Sequence, residues 1–220
     1  MPIDPAAFVR AQTAIAAPPL VPELRLHLAT EITPIWQATE ATLAETGLPP
    51  PYWAFAWPGG QALARYILDR PATVAGARVL DFAAGSGLAA IAAARAGGAH
   101  VVAADTDRFA AAAIGLNAAL NGVCVETATA DLVGRFDLDF DVVLAGDVCY
   151  ERPMAGRVAD WLRRLAADGA TVLLGDPGRA YLPQAGLREI ARYAVPTSRE
   201  LEDRETRDTA VWRVLPDRGD

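Results

Sequence analysis

Residues 81–87 of the chain read DFAAGSG and directly follow the short, mainly apolar run of residues 77–80. A glycine-rich turn between an apolar strand and a helix is typical of α/β proteins that bind a cofactor at the end of the strand. Two enzyme classes carry such a turn: those that bind nicotinamide or flavin dinucleotides, and those that bind S-adenosylmethionine. The residues around the turn therefore have to distinguish hydride transfer from methyl transfer.

The turn fits the dinucleotide pattern. Gly85 to Ala90 matches G-x-G-x-x-A, and Asp105 follows 20 residues after Gly85, at the end of the next apolar run. A pyrophosphate could bind at the N-terminus of the helix that begins near Ser86. The glycine spacing alone leaves an NAD-dependent oxidoreductase open.

Asp81 favours the methyl donor instead. Its carboxylate comes four residues before Gly85, where it would repel a pyrophosphate across a short loop. S-adenosylmethionine carries a sulfonium and an ammonium and no phosphate, so an acidic loop suits it. The glycines allow the backbone to approach the methionine part closely.

Two further acidic positions are candidates for the adenosine part. Asp105 ends the apolar run of residues 101–104 and is expected to accept hydrogen bonds from ribose hydroxyls, although Asp107 is a rival that could instead cap the next helix. Asp131 follows the third predicted strand, where an adenine amino group could be recognised or a turn capped.

The chain from residue 60 onward alternates helices and strands. The predicted elements are a helix at 61–68, a strand at 78–82, a helix at 86–97, a strand at 99–104, a helix at 107–120, strands at 123–128 and 141–145, a helix at 155–167 and a strand at 170–174. This alternation predicts an α/β fold with a doubly wound, mostly parallel seven-stranded sheet. Strand-like runs at 190–195 and 209–215, with a loop or hairpin connection at 198–208, predict an antiparallel strand at the sheet edge.

Residues 1–57 are punctuated by prolines and are expected to form an N-terminal extension that covers the substrate side of a methyltransferase domain at 58–220. The extension is expected to hold a helix near 5–16 and an exposed-edge strand at 24–28. Trp36 and Trp53 are expected either to flank the substrate cleft or to pack the extension onto the sheet.

The composition limits the partners. The net charge of −7 argues against a nucleic-acid backbone, and no apolar run reaches the length needed to cross a bilayer. Isolated histidines and cysteines predict no metal site, and Cys124 and Cys149 are expected to be small buried residues in a reducing compartment. With no signal-peptide pattern, a cytoplasmic location is expected. All 20 basic residues are arginine. The base composition of the genome explains this most simply, and a weaker explanation is that an enzyme acting on lysine avoids modifying itself.

Four further segments reduce the set of functions that remain possible. They are PYWAFAWPGGQALARY at residues 51–66, LNAALN at 116–121, GDVCYE at 146–151 and GDPGR at 175–179. Over residues 20–182 or so the chain resembles the seven-strand protein-lysine methyltransferases that modify the β subunit of electron-transfer flavoprotein. The resemblance includes a T-x-E-like region at Thr30 and Glu31.

The resemblance implies a set of site residues. Those for S-adenosylmethionine are Trp57, Gly59, Asp81, Ala83, Gly85, Gly87, Asp105 and Asp131. Ala83 stands where family members usually have a glycine, and donor binding is expected to survive if the backbone angle φ there is not positive.

On the acceptor side, Asp147 is expected to orient the lysine ammonium and Tyr150 to shape an aromatic slot. Trp53, Glu151, Asp176 and Arg179 are expected to contact the protein substrate, with Arg179 either binding an acidic patch or pairing with a nearby carboxylate. The protein is expected to act as a monomer. A small-molecule amine N-methyltransferase, an NAD-dependent oxidoreductase and a silent donor-binding adaptor remain as alternatives.

Overall fold

A computed structural model describes residues 3–30, 35 and 49–216 of the chain. The expectations for Trp36 and Glu31 lie outside these residues. Within them, no helix combines the length and apolar character that a bilayer crossing requires.

A seven-stranded sheet forms the centre of the molecule, in the order β5-β4-β3-β6-β7-β9-β8. Its strands are β3 (Arg78–Phe82), β4 (His100–Ala104), β5 (Glu126–Ala128), β6 (Val142–Gly146), β7 (Thr171–Asp176), β8 (Leu187–Pro196) and β9 (Thr206–Val214). The first five are parallel, and β9 runs antiparallel to both β7 and β8. The predicted doubly wound, mostly parallel sheet is confirmed.

The expected position of the antiparallel strand was wrong. It is β9, which lies between β7 and β8 rather than at the edge of the sheet. The physical reason is burial: Thr209, Ala210 and Val211 of β9 are buried, whereas most of β8 is half-buried or exposed. The connection at 198–208, expected to be a loop or hairpin, contains a short helix, α6 (Arg199–Glu202).

Helices cover both faces of the sheet because neighbouring strand residues point to opposite sides. Val79 packs in a cluster with the helix α2 (Pro58–Asp69), and Leu80 packs in the opposite cluster with the helix α5 (Met154–Ala167). The remaining helices are α1 (Pro5–Gln12), α3 (Leu88–Arg95) and α4 (Arg108–Leu120).

The N-terminal extension differs from its prediction in detail. The helix α1 ends at Gln12, and the strand β1 (Ala14–Ala16) follows it. The strand β2 (Leu26–Leu28) pairs antiparallel with β1, so the predicted strand at 24–28 is shorter and belongs to a separate two-stranded sheet. Cys124 is exposed, contrary to expectation, whereas Cys149 is buried.

Side-chain amides attach the extension to the domain. The backbone N–H of His27 donates to Asn117 Oδ1 at 2.7 Å, and Asn117 Nδ2 donates to the carbonyl of Ser86 at 2.9 Å. Gln61 accepts from the N–H of Leu20 at 3.0 Å. The LNAALN and WPGGQAL segments thus connect the extension to the glycine-rich turn and to α2, and the boundary at residue 57 stays a prediction.

The start of α2 lies against the ends of β6 and β7 with backbone touching backbone. A Cβ at Gly59 would lie 2.2 Å from the carbonyl oxygen of Gly175, and one at Gly146 would lie 2.9 Å from the backbone nitrogen of Gly60. Only glycines permit this approach. The contact places the first turn of α2 at the edge of the sheet where the parallel strands end.

A substitution series tests this contact. Gly59→Ala should lower the free energy of unfolding by about 2 to 3 kcal/mol, because its methyl group meets backbone that cannot move aside. Gly60→Ala is the matched control, since a Cβ there meets nothing within 4 Å, and should stay within about 1 kcal/mol of the parent. Urea unfolding measures both, and equal stability of the two variants would contradict the contact.

Candidate active site

A cavity of about 600 Å³ opens at the carboxyl ends of β3, β4 and β6. The order of strands reverses beside β3, and ligands of doubly wound sheets bind outside such a point. The turns after these strands form its inner wall, and residues of the extension, from Pro49 to Trp57, form its rim. Among the described residues, no group of His, Cys, Asp and Glu side chains could hold a metal ion.

The glycine-rich turn forms the floor of the cavity. Asp81 is 3% exposed, and its Oδ2 accepts from the N–H of Ala90 in α3 at 2.8 Å. Burial, with a smaller contribution from the nearby carboxylate of Asp105, raises the pKa of Asp81 to about 8. Gly85 and Gly87 have φ of 51° and 77°, and a Cβ at Gly87 would lie 3.0 Å from Ile114.

Ala83 has φ of 53°, so the condition on which donor binding was expected to survive an alanine at this position is not met. The register of β3 with β4, continued by the hydrogen bond from the N–H of Ala84 to the carbonyl of Ala104 at 3.1 Å, holds the turn in this shape. An alanine in the left-handed region is strained by about 1 to 2 kcal/mol. The turn keeps the conformation that glycine favours despite the side chain.

Three aspartates occupy the next part of the cavity. Asp105 accepts from the N–H groups of Gly85 at 2.9 Å and Asp107 at 3.0 Å, which ties β4 to the glycine-rich turn. Asp107 caps α4 by accepting from the N–H of Phe109 at 2.8 Å, which is the capping role expected as its alternative to ribose binding. Asp131 accepts from the N–H of Val133 at 3.0 Å and is exposed to the cavity.

These residues fit S-adenosylmethionine. Asp81, Asp105 and Asp131 line one end of the cavity with carboxyl groups, and Gly85 exposes backbone beside them. A cationic donor suits such a lining, whereas a pyrophosphate would be repelled.

Asp147 forms the centre of the opposite end of the cavity. It has φ of 56° and is 8% exposed. Its Oδ2 accepts from the N–H groups of Gly59 at 2.6 Å and Gly60 at 3.2 Å, and its Oδ1 accepts from Arg179 Nη2 at 2.7 Å. Burial raises the pKa of Asp147 to about 6 even though the guanidinium of Arg179 favours the carboxylate.

Arg179 lies between two carboxylates. Besides Asp147 it contacts Glu202, with Nη2 to Oε1 at 2.5 Å, and its guanidinium lies over the Trp57 ring at 5.7 Å. Pairing with a carboxylate, one of the two roles expected for Arg179, is therefore what the structure shows. Asp176 shapes this turn by accepting from the N–H groups of Gly178 and Arg179 at 2.7 and 2.6 Å.

Aromatic side chains surround the mouth of the cavity. The rings of Tyr52 and Tyr150 lie 5.6 Å apart and both are exposed, by 48% and 41%. Trp57 Nε1 donates to the carbonyl of Tyr52 at 2.8 Å. Trp53 borders the cavity but is buried and packs against Phe109. It therefore also attaches the extension to the domain, which is the second of the two roles expected for it.

Comparison with known proteins assigns the family. The model of ribosomal protein L11 methyltransferase, PrmA, matches residues 62–173. A Xenopus laevis protein named electron transfer flavoprotein beta subunit lysine methyltransferase is 38% identical over 218 residues, covering 96% of this chain and 87% of the relative. The human protein of the same name is 34% identical and covers 96% and 82% of the two chains. The chain belongs to the family of the electron transfer flavoprotein beta subunit lysine methyltransferases.

Solved structures agree on the fold. A ribosomal protein L11 methylase from Lactobacillus delbrueckii matches with a TM-score of 0.50 and 23% identity, covering 72% of this chain and 78% of that one. The magnesium protoporphyrin IX methyltransferase of Synechocystis, solved with S-adenosylhomocysteine, matches with a TM-score of 0.52 and 17% identity, covering 71% and 81%. These structures show the fold, whereas membership of the family makes the protein an S-adenosylmethionine-dependent protein-lysine methyltransferase, as predicted; the alternative functions are not favoured.

The methyltransferase cavity collects most of the predicted site residues. Those that line it are Trp53, Trp57, Asp81, Ala83, Gly85, Asp105, Asp131, Asp147, Tyr150 and Arg179. Gly59, Gly87 and Asp176 lie behind this lining and support it, while Glu151 is exposed outside it. Sequence reasoning missed Tyr52 and Phe55, which stand in the quoted segment before α2, and also Met154 and Arg157 at the start of α5.

The strain at Ala83 can be measured. Ala83→Gly should raise the free energy of unfolding by about 1 kcal/mol, because relief of the positive φ outweighs the added freedom of the unfolded chain. Ala84→Gly is the control: its φ is not positive, so the same change should lower stability by about 0.5 to 1 kcal/mol. Chemical unfolding gives both values, and a loss of stability in Ala83→Gly would show that the turn is not strained there.

Proposed function

We propose that this enzyme transfers methyl groups to lysine side chains of the electron-transfer flavoprotein β subunit. One observation carries the proposal: a single cavity joins a carboxylate-lined glycine turn to an exposed aromatic mouth. The first suits a cationic methyl donor, and the second suits a cationic amine and its methylated products. The names and coverage of the relatives support the flavoprotein subunit as substrate.

The donor end is assigned to the methionine and ribose parts. Asp81, with the backbone of Gly85, would hold the ammonium-bearing methionine part, and Asp105 the ribose hydroxyls. Asp131, with Leu132 and Val133, would border the adenine. When bound, S-adenosylmethionine supplies a methyl group activated by its sulfonium.

The acceptor end aligns the amine. A lysine has a pKa of about 10.4 and must lose a proton before its nitrogen attacks, and the exposed rings of Tyr52 and Tyr150 leave that proton a path to water. In-line displacement depends mainly on positioning the two reactants. Asp147 already accepts four hydrogen bonds, so we assign it to orientation by its negative charge rather than to proton removal.

The labelling experiment uses the purified enzyme, radiolabelled S-adenosylmethionine and the purified flavoprotein or its isolated β subunit. Label on β-subunit lysines, located by mass spectrometry, is the expected result. The enzyme contains no lysine, so label on its own chain cannot be mistaken for lysine methylation. Labelling of a different protein in a lysate of a strain lacking the enzyme, with the flavoprotein unlabelled, would reject this substrate.

Matched tyrosine variants extend that experiment. Tyr150→Ala should lower turnover at least about tenfold, because it removes one side of the aromatic mouth. Tyr181→Ala is the control: it is similarly exposed, 40% against 41% for Tyr150, but lies outside the cavity lining. Equal turnover in the two variants would remove Tyr150 from the acceptor site.

The raised pKa of Asp81 predicts that binding of S-adenosylmethionine is linked to the release of a proton. With a pKa of about 8, the buried carboxyl is mostly protonated at pH 7, and a cation bound beside it favours the carboxylate. Binding of S-adenosylmethionine at pH 7 should therefore release a proton. Calorimetry in buffers of different ionisation enthalpy counts that proton, which should be absent in Asp81→Asn; the same count in both proteins would assign the linkage to another group.

The monomeric state and the cytoplasmic location stay predictions of the same proposal. Gel filtration with light scattering tests the first, and fractionation of cells tests the second.

A further inference from the structure

Glu202 is a buried carboxylate in a strongly charged connection. It ends the short helix α6 between β8 and β9 and is 5% exposed. It accepts from Arg179 Nη1 at 3.1 Å and from Arg207 Nε at 3.0 Å, in addition to the contact with Arg179 Nη2. A carboxylate buried in this way requires charged partners on several sides, and here they come from two separate parts of the chain.

The guanidinium of Arg179 is held between this carboxylate and that of Asp147. On one side Nη2 and Nε donate to Asp147 Oδ1 at 2.7 and 3.2 Å, and on the other side Glu202 accepts from both terminal nitrogens. A planar guanidinium held at both edges has a single orientation. Without Glu202 it would be free to turn about its contact with Asp147.

The clamped guanidinium reaches the cavity through two neighbours. It lies over the ring of Trp57 at 5.7 Å, and it completes the hydrogen bonds of Asp147. Trp57, Asp147 and Arg179 all line the acceptor end of the cavity, whereas Glu202 does not. Glu202, behind the lining, thus contacts Arg179 directly and is linked through it to Trp57 and Asp147.

The backbone next to Glu202 is itself constrained. Asp203 has φ of 55°, an uncommon conformation for a residue other than glycine. Such a conformation persists only where surrounding contacts hold it, and it occurs often at functional sites. The turn brings Glu202 to Arg179 at the expense of local backbone strain.

We propose that Glu202 is a positioning residue for methyl transfer. Acting through Arg179, it orients Trp57 and Asp147 at the acceptor end of the cavity, so that the connection between β8 and β9 belongs to the active site. This inference rests on the proposed acceptor role of that end.

Steady-state kinetics test the proposal with Glu202→Gln, Arg179→Lys and the double variant. Glu202→Gln should lower kcat about tenfold and leave the KM for S-adenosylmethionine within about twofold of the parent. Because Glu202 acts through Arg179, the double variant should be no slower than Arg179→Lys alone, within about twofold. Glu202→Asp, which keeps the charge on a shorter side chain, should show a smaller loss and serves if the glutamine variant does not fold.

Glu189→Gln is the control variant. It removes a carboxylate from an exposed pair with Arg192 on β8 that is not part of the cavity lining, and it should leave kcat unchanged. Unchanged kcat in Glu202→Gln, or losses that multiply in the double variant, would overturn the proposal. Thermal unfolding of each variant shows that the assay is run on folded protein.

The acceptor in these assays is whichever protein the parent enzyme labels. If that is not the flavoprotein β subunit, the proposed substrate fails while the Glu202 comparison remains decisive.

Discussion

The carboxylate of Asp147 joins the parts of the molecule on which the site depends. One oxygen accepts from the first turn of α2, the other from Arg179, and the backbone N–H of Asp147 donates to the carbonyl of Gly175 at 2.9 Å. Buried charge is tolerated only when such partners surround it. The helix start, the ends of β6 and β7 and the arginine are therefore held in one arrangement.

This arrangement explains why the start of α2 and the ends of β6 and β7 carry glycines. Gly59, Gly146 and Gly175 allow the backbone of α2 to touch the strand ends, and the N–H groups at that helix start then reach Asp147. The favourable interaction of a carboxylate with a helix N-terminus adds to the hydrogen bonds. Close backbone packing and charge compensation are thus two aspects of the same contact.

The acidic side chains at the two ends of the cavity have different partners. At the donor end, the hydrogen bonds that Asp81 and Asp105 accept within the described part of the chain come from backbone N–H groups, so no basic side chain there competes with a cationic ligand. At the acceptor end, Arg179 and Arg207 compensate Asp147 and Glu202. The donor end thus keeps carboxyl groups that can pair with a cationic ligand, whereas Asp147 and Glu202 at the acceptor end are already paired with arginines.

Most strands and helices could be predicted from periodicity, because each of them depends on near neighbours in the chain. The exceptions depend on distant partners: β9 takes an inner position because its backbone pairs with β7 along one edge and with β8 along the other, and Cys124 is exposed although valines flank it. The site residues were found where they stand in recognisable segments. Glu202 was missed because a carboxylate in a charged run carries no local sign of burial.

The sequence by itself determined the fold class, the acidic glycine turn and the family, since these reside in short segments whose spacing is fixed by the geometry of strands and helices. Only the tertiary structure decided that Asp147 is saturated with hydrogen bonds, that Ala83 adopts a positive φ, and that Arg179 is held from behind by Glu202. Each of these depends on groups that lie far apart along the chain, and folding alone brings them within hydrogen-bond distance.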